Sequence, residues 1–327
     1  MKMAVIGCGW AGRSHAFIGR ELGVEVTGFC DIIEASAQRL RDEMGSGYIT
    51  TDPERIMGDD SIDLVVIATR HGAHHRLALK GAQTGKHLLV EKPMCLTHAQ
   101  AVEVADAVEQ AGVKLVVNCK FRIMPTVQKV RELLPHPRMS HGQLAMDDTS
   151  QGQSAWLWDA EDGGGLLIAT AVHTIDLLSF LMNSEPDRVY AEGRVFRENK
   201  GTERFPDGLV GTILWKSGGL STVNCGDQGQ NPFVSKWFCE VWDGKRSAVL
   251  SAHMSRVQFG GCDIESLQTD AVSEEDQLKT SMLTNLLDAI RTDGHTLCDA
   301  RDGARTVAIC NALDEAVRTG KTQTVQA

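Results

Sequence analysis

Three groups of residues in this 327-residue chain have the types and spacing to do chemistry. Gly7, Gly9 and Gly12 stand at the spacing G-x-G-x-x-G, Lys92 sits in the tripeptide Glu91-Lys92-Pro93, and His173 and Asp176 lie three residues apart. The glycine spacing suits a cradle for phosphate. The first glycine permits a tight turn, the second lets backbone approach a pyrophosphate, and the third lets a helix pack against a strand. N–H groups at the start of that helix then face the phosphates, and Trp10 and Ala11 of the turn fall within the same contact set. A lysine amine can exchange a proton with a reacting hydroxyl. A histidine and an aspartate three apart on a helix share one face.

The elements around the glycines decide whether the spacing means anything. "KMAVIG" is a short apolar β run and "WAGRSHAFIGREL" has helical periodicity, so the glycines stand where a strand enters a helix. "VEVTGFCD" follows as a second strand and closes on Asp31, about twenty residues after the glycines. There a carboxylate accepts hydrogen bonds from both hydroxyls of an adenosine ribose and repels a 2′-phosphate. Ile32, Ile33 and Glu34 supply no arginine for that phosphate, so the expected cofactor is NAD and NADP is disfavoured. The alternative for Asp31 is a carboxylate that only caps its turn. Strand and helix keep alternating through "SIDLVVIATR", "HHRLALKGAQTGK", "HLLVEKP", "THAQAVEVADAVEQAG" and "VKLVVNCKF". That alternation predicts a doubly wound parallel sheet, whose ligands bind at the carboxyl ends of the strands.

Lys92 falls at one of those carboxyl ends. A bound oxidised nicotinamide and partial burial both disfavour an ammonium, which brings an amine toward acid–base duty near neutral pH. Pro93 restricts Lys92 to extended geometry and so aims its side chain. On spacing alone, a surface lysine paired with Glu91 ahead of a loop proline accounts for the same tripeptide.

Composition narrows the class of protein. A chain of this length with 42% hydrophobic residues supports two cores. No run approaches the roughly 20 apolar residues of a membrane span, and the N-terminus lacks the sections of a signal peptide. Nine cysteines without a paired framework or a C-x-x-C suit reduced thiols in the cytoplasm, with no metal site expected. A formal charge of −10 disfavours nucleic acid or a membrane surface as partner.

"AVIGCGWAGRSHA", "ATRHGAHHRLALKGAQTGKHLLVEKP" and "DAEDGGGLLIATAVHTIDLL" occur in order and together resemble the Gfo/Idh/MocA family of nicotinamide-dependent sugar and polyol dehydrogenases. The resemblance covers essentially the whole chain, including "LLDAIRTDGHTLCDARDGARTVAICNALDEAVRTGK", which is similar to helices that close the family's second domain. It implies an α/β protein with an N-terminal Rossmann domain over residues 1–121. Residues 122–327 then form a C-terminal α/β domain on a large, open, mostly antiparallel sheet, whose exposed face joins subunits into a homodimer or homotetramer. Lys92 becomes the principal proton carrier, and His173 faces it across a cleft as proton donor or acceptor. Asp176 orients His173 or binds a neighbouring hydroxyl, and Thr69, His74 and Glu91 join the cofactor contacts. Lys120, Arg122, Trp158 and Thr170 are candidate substrate contacts.

For His173 and Trp158 a place in the core is the alternative, and for Lys120 and Arg122 a solvated charge. Two positions depart from the family pattern: Ala169 replaces an aspartate, and Arg70 a proline. The expected activity is hydride transfer between NAD and a hydroxyl-bearing carbon of a cyclic polyol, sugar or sugar derivative. A nicotinamide-binding regulator without turnover, and a redox-assisted lyase or glycosidase that retains its NAD, are the competing readings.

Overall fold

A computed structural model of the chain describes residues 1–146, 155–196, 205–227, 236–269 and 281–326. It divides into two compact units, Met1–Cys119 with Glu274–Ala304, and Lys120–Ser273 with Arg305–Ala327.

In the first unit β1 (Lys2–Ile6), α1 (Trp10–Glu21), β2 (Glu25–Cys30), α2 (Glu34–Met44) and β3 (Tyr48–Thr50) build one half of a sheet. After α3 (Pro53–Met57), the elements β4 (Leu64–Ile67), α4 (His74–Gln83), β5 (His87–Val90), α5 (His98–Ala111) and β6 (Leu115–Val117) build the other. The strand order is β3-β2-β1-β4-β5-β6 and every pairing is parallel. The expected doubly wound sheet is therefore present. Its reversal of order falls between β1 and β4, where such sheets open a crevice for ligands. Continuous apolar runs make this possible: all of β4, and Leu88, Leu89 and Val90 of β5, have no exposed surface, as strands covered by helices on both faces require. Local signals set the helix ends. Thr97 and Gln100 form a capping box for α5, and Gly112 ends it in the left-handed region.

The second unit carries α6 (Pro125–Leu133), β7 (Met139–Met146), a π-helical turn at Leu167–Ala171, and α7 (Val172–Met182). Strands β8 (Pro186–Arg194), β9 (Gly208–Trp215), β10 (Leu220–Asp227), β11 (Trp237–Trp242), β12 (Ser247–Ser251), β13 (Arg256–Gly260), β14 (Ser266–Gln268) and β15 (Gln323–Thr324) follow. Among the described residues they and β7 form a nine-stranded sheet, ordered β14-β13-β12-β11-β7-β10-β9-β8-β15, in which only β7 and β10 pair in parallel. Asp147 and Asp148, which follow β7 directly in the sequence, lie outside the described residues.

Helix α7 is buried along its whole length and lies directly on β7, where a Cβ on Gly142 would stand 2.6 Å from Thr174 Cγ2. Alternate positions of β8, β9 and β10 point the other way and leave Tyr190, Val210 and Leu220 exposed. Among the described residues, no helix is long and apolar enough to cross a membrane.

The division differs from the expected 1–121 and 122–327 by a return of the chain. Helix α8 (Met282–Thr292) packs on β5 and β6 of the first unit. The segment after it is held to β6 by Val117 N–H donating to Cys298 O at 2.9 Å and by Thr296 Oγ1 donating to Leu115 O at 2.7 Å. Helix α9 (Ala300–Thr319) runs across the division at residue 304. Periodicity shows that these helices exist but not which sheet they cover.

Candidate active site

A side chain is sterically excluded at Gly7 and Gly12. Gly7 has φ +93°, and a Cβ on it would lie 2.3 Å from Ala68 O, so the turn after β1 presses on the end of β4. A Cβ on Gly12 would lie 1.8 Å from Gly7 O, so α1 sits against that turn. A Cβ on Gly9 would meet nothing within 4 Å. Gly9 thus borders open space, and as the N-cap of α1 it brings no side chain to the first-turn N–H groups. This cradle fits a dinucleotide pyrophosphate. Beside it Ala11 is partly buried, while Trp10 is 88% exposed.

Asp31 has a double hold on the backbone. Cys8 N–H donates to Oδ2 and Ile33 N–H to Oδ1, both at 2.8 Å. A carboxylate has about four acceptor positions, so each oxygen keeps capacity for a ribose hydroxyl. Burial, and then the charge of Asp31, push the Cys8 thiol up to about 12 and the Cys30 thiol up to about 11, so both stay protonated and inert.

At the end of β4, Thr69 is half-buried and Arg70 exposed. His74 is fully buried, with Nδ1 2.7 Å from Pro93 O and Nε2 3.1 Å from Thr69 O. Its ring stands between the loop after β4 and the loop after β5, and in the neutral form its one N–H donates to one of the two carbonyls. Burial outweighs those two carbonyls and lowers its proton affinity. His74 therefore braces the backbone on which Thr69 and Lys92 are carried.

Lys92 and Pro93 are joined by a cis peptide bond at the end of β5. Glu91 is held from two sides: His15 Nε2 lies 2.8 Å from Oε1, and Asn118 Nδ2 donates to the same oxygen at 2.8 Å. Burial by itself raises the Glu91 carboxyl, but the hydrogen bond and charge of His15, the charge of Lys92 and the Asn118 bond override it and bring it down to about 2. Because the folded value lies below the unfolded one, Glu91 contributes stability that is complete above about pH 4.5 and is lost as the pH falls toward 2. Neither His15 nor Asn118 stands out in the sequence. The available signal is that His15 follows Gly12 by three and so shares its inward face of α1.

In the second unit the glycine run makes a tight turn over Asp159: Gly163 and Gly164 N–H both donate to Asp159 O, at 3.0 and 2.8 Å. Gly164 and Gly165 have φ of +80° and +82°, which favours glycine at both. The π turn follows directly, and such turns often mark functional sites. It buries Ala169 and leaves Thr170 half-buried, so the position where the family pattern has an aspartate points into the core here.

His173, 8% exposed, lies 5.5 Å by ring centroid from both Phe121 and Trp237, which are themselves 5.2 Å apart. That aromatic surround is absent from the sequence reading because its members are 116 residues apart. The Lys120 ammonium is 5.8 Å from the Phe121 ring centre, and Trp158 is half-buried.

Arg122 and Asp176 are paired with each other. Arg122 donates through Nε to both Asp176 oxygens at 3.1 and 3.0 Å and through a terminal nitrogen to Oδ1 at 2.7 Å. Thr306 Oγ1 adds a bond to Oδ1 at 3.2 Å, and the two charged side chains are 2% and 1% exposed. The pair is enclosed by protein and fixes α7 to the segment after Lys120. Each charge thus has a structural partner, beside the substrate contact expected of Arg122 and the part expected of Asp176 in orienting His173 or binding a neighbouring hydroxyl.

Fold and cradle together define the class: a two-unit oxidoreductase with a dinucleotide-binding Rossmann sheet. Residues 1–119 match the oxidoreductase family with an NAD-binding Rossmann fold, and residues 134–238 match the GFO/IDH/MocA C-terminal domain. The chain belongs to the Gfo/Idh/MocA family. It is 25% identical over 317 residues to 1,5-anhydro-D-fructose reductase of Ensifer adhaerens, covering 94% of this chain and 93% of the relative. D-apiose dehydrogenase of Paraburkholderia graminis is 25% identical over 349 residues, covering 98% and 88%. Levoglucosan dehydrogenase in complex with NADH and levoglucosan shares the fold at a TM-score of 0.88 and 19% identity, covering 100% of this chain and 99% of that one.

Proposed function

We propose that this protein is an NAD-dependent dehydrogenase of a cyclic polyol, sugar or sugar derivative, with Lys92 as its principal proton-transfer group. The observation that carries this reading is the company kept at the carboxyl ends of one parallel sheet: a glycine cradle with Asp31, and Lys92 beside a fixed carboxylate. Relatives along the whole chain that act on anhydrofructose and apiose support the substrate class.

When bound, NAD supplies the hydride acceptor in oxidation and the hydride donor in reduction. Gly7, Gly9 and Gly12 with Trp10 and Ala11 hold its pyrophosphate, and Asp31 holds the adenosine ribose. Lys92 takes the hydroxyl proton as the carbinol becomes a carbonyl, and returns it in the reverse direction. His173 assists as a second acid–base group, a part carried over from the family resemblance. Lys120, Trp158 and Thr170 are assigned to substrate. The nine free cysteines suit a reducing compartment, and we place the protein in the cytoplasm.

Absorbance of reduced nicotinamide, followed over a panel of inositols, aldoses, anhydrosugars, sugar acids and sugar phosphates, tests the activity. Turnover of at least one of them is expected. NAD that co-purifies and stays bound, with no net reduction on any substrate, would sink the dehydrogenase reading.

Asp31 also sets the cofactor. Fluorescence titration with NADH and NADPH is expected to show tighter binding of NADH, with Asp31→Ala weakening NADH more than NADPH. Tighter binding of NADPH by the unmodified protein overturns the assignment.

The exposed Tyr190, Val210 and Leu220 on one sheet face fit burial between subunits of a homodimer or homotetramer. Light scattering is expected to give a mass of two or four chains. A strictly monomeric mass at high protein concentration removes this reading.

A further inference from the structure

The grip on Glu91 is more elaborate than the sheet requires. Asn118 stands one residue past β6, its N–H donates to Val90 O at 2.8 Å, and its side chain is thereby aimed at the residue following Val90. His15 comes from the inner face of α1, whose seat on the glycine turn depends on Gly12. The His15 and Glu91 side chains are 7% and 15% exposed. Buried polar groups of this kind gain little net stability over well-packed apolar ones, since desolvation offsets most of the attraction. What such a network does supply is one fixed arrangement.

We propose that His15 and Asn118 are positioning residues for the proton carrier: acting through Glu91, they fix a carboxylate beside Lys92 and so govern when its amine releases a proton. The proposal rests on the role given above to Lys92. A carboxylate held next to an amine favours the ammonium, opposing the effect of a bound oxidised nicotinamide. Held in one place, it makes that opposition constant through the catalytic cycle. The titratable groups described as facing Glu91 and Lys92 are His15 from α1 and His74 from α4. His74 is shut away and disposed to stay neutral, and the Glu91 carboxylate supplies the fixed negative charge beside Lys92.

Competitive labelling of the cofactor-free protein with acetic anhydride across a pH series, read at Lys92 by peptide mass spectrometry, gives the midpoint of its ionisation directly. Glu91→Gln is expected to lower that midpoint by about one pH unit, the usual scale for a neighbouring charge. His15→Leu and Asn118→Ala should move it the same way and by less, because a carboxylate that loses a donor is no longer held in one place beside Lys92. His15→Gln, which keeps an N–H donor, should restore it. The pH profile of kcat/KM should shift in parallel. A midpoint unchanged in Glu91→Gln, or unchanged in both His15→Leu and Asn118→Ala, overturns the proposal. Should His15→Leu fail to fold, Asn118→Ala and Glu91→Gln carry the decision. Full turnover by Lys92→Met would instead defeat the role of Lys92, which the labelling midpoint does not depend on.

Discussion

Lys92→Met is expected to bind NADH as the unmodified protein does while its turnover falls by roughly 10²- to 10⁴-fold, the usual contribution of a positioned acid–base group. Methionine keeps much of the lysine stem but cannot exchange a proton. The measurement is kcat on the best substrate of the panel, with NADH affinity determined separately by fluorescence. Near-normal turnover with intact folding would overturn the mechanism. His173 needs a gentler replacement, because it is packed among Phe121 and Trp237 and an alanine would open a cavity there. His173→Asn should cost less than Lys92→Met if the imidazole mainly orients substrate, and comparably if it shares the proton.

Asp176→Ala is expected to destabilise the protein by about 3–5 kcal/mol, because it leaves the Arg122 guanidinium buried without a counter-charge. That is a large part of the stability of an ordinary domain. The pair itself need not be strongly stabilising. Replacing both members, as Arg122→Met with Asp176→Leu, should recover most of the loss, since two apolar side chains carry no desolvation cost. Denaturant unfolding of the two single variants and the double variant separates these terms. If Asp176→Ala unfolds like the unmodified protein and loses only turnover, the carboxylate belongs to the substrate after all.

Local sequence carried much of the first unit because its signals are short-range. The glycine spacing, the strand closing on Asp31 and the strand ending at Lys92 each depend on neighbours within a few residues, and the sheet order follows from repeated βαβ units. What escaped depends on distant parts of the chain. His15 and Asn118 meet at Glu91 from 76 and 27 residues away. Asp176 was legible as a helix-face carboxylate, but its capture by Arg122, 54 residues earlier, was not. The same limit explains α8: its apolar face was plain, and its docking on β5 and β6 was set by a chain return that periodicity does not encode.

The double hold of Asp31 has a consequence for changing the coenzyme by engineering. One carboxylate pins both the glycine turn, at Cys8, and the turn into α2, at Ile33. Deleting it to admit a 2′-phosphate would unfasten the loop that must still carry the pyrophosphate, so a swap at this position alone trades affinity for selectivity. Ile32 and Ile33 are 88% and 61% exposed and have room for a longer side chain. A drift toward NADP would therefore begin next door, with Ile32→Arg or Ile33→Arg supplying a counter-ion, and reach position 31 only afterwards, through Asp31→Asn, which discards the charge but keeps an acceptor for one of the two turns.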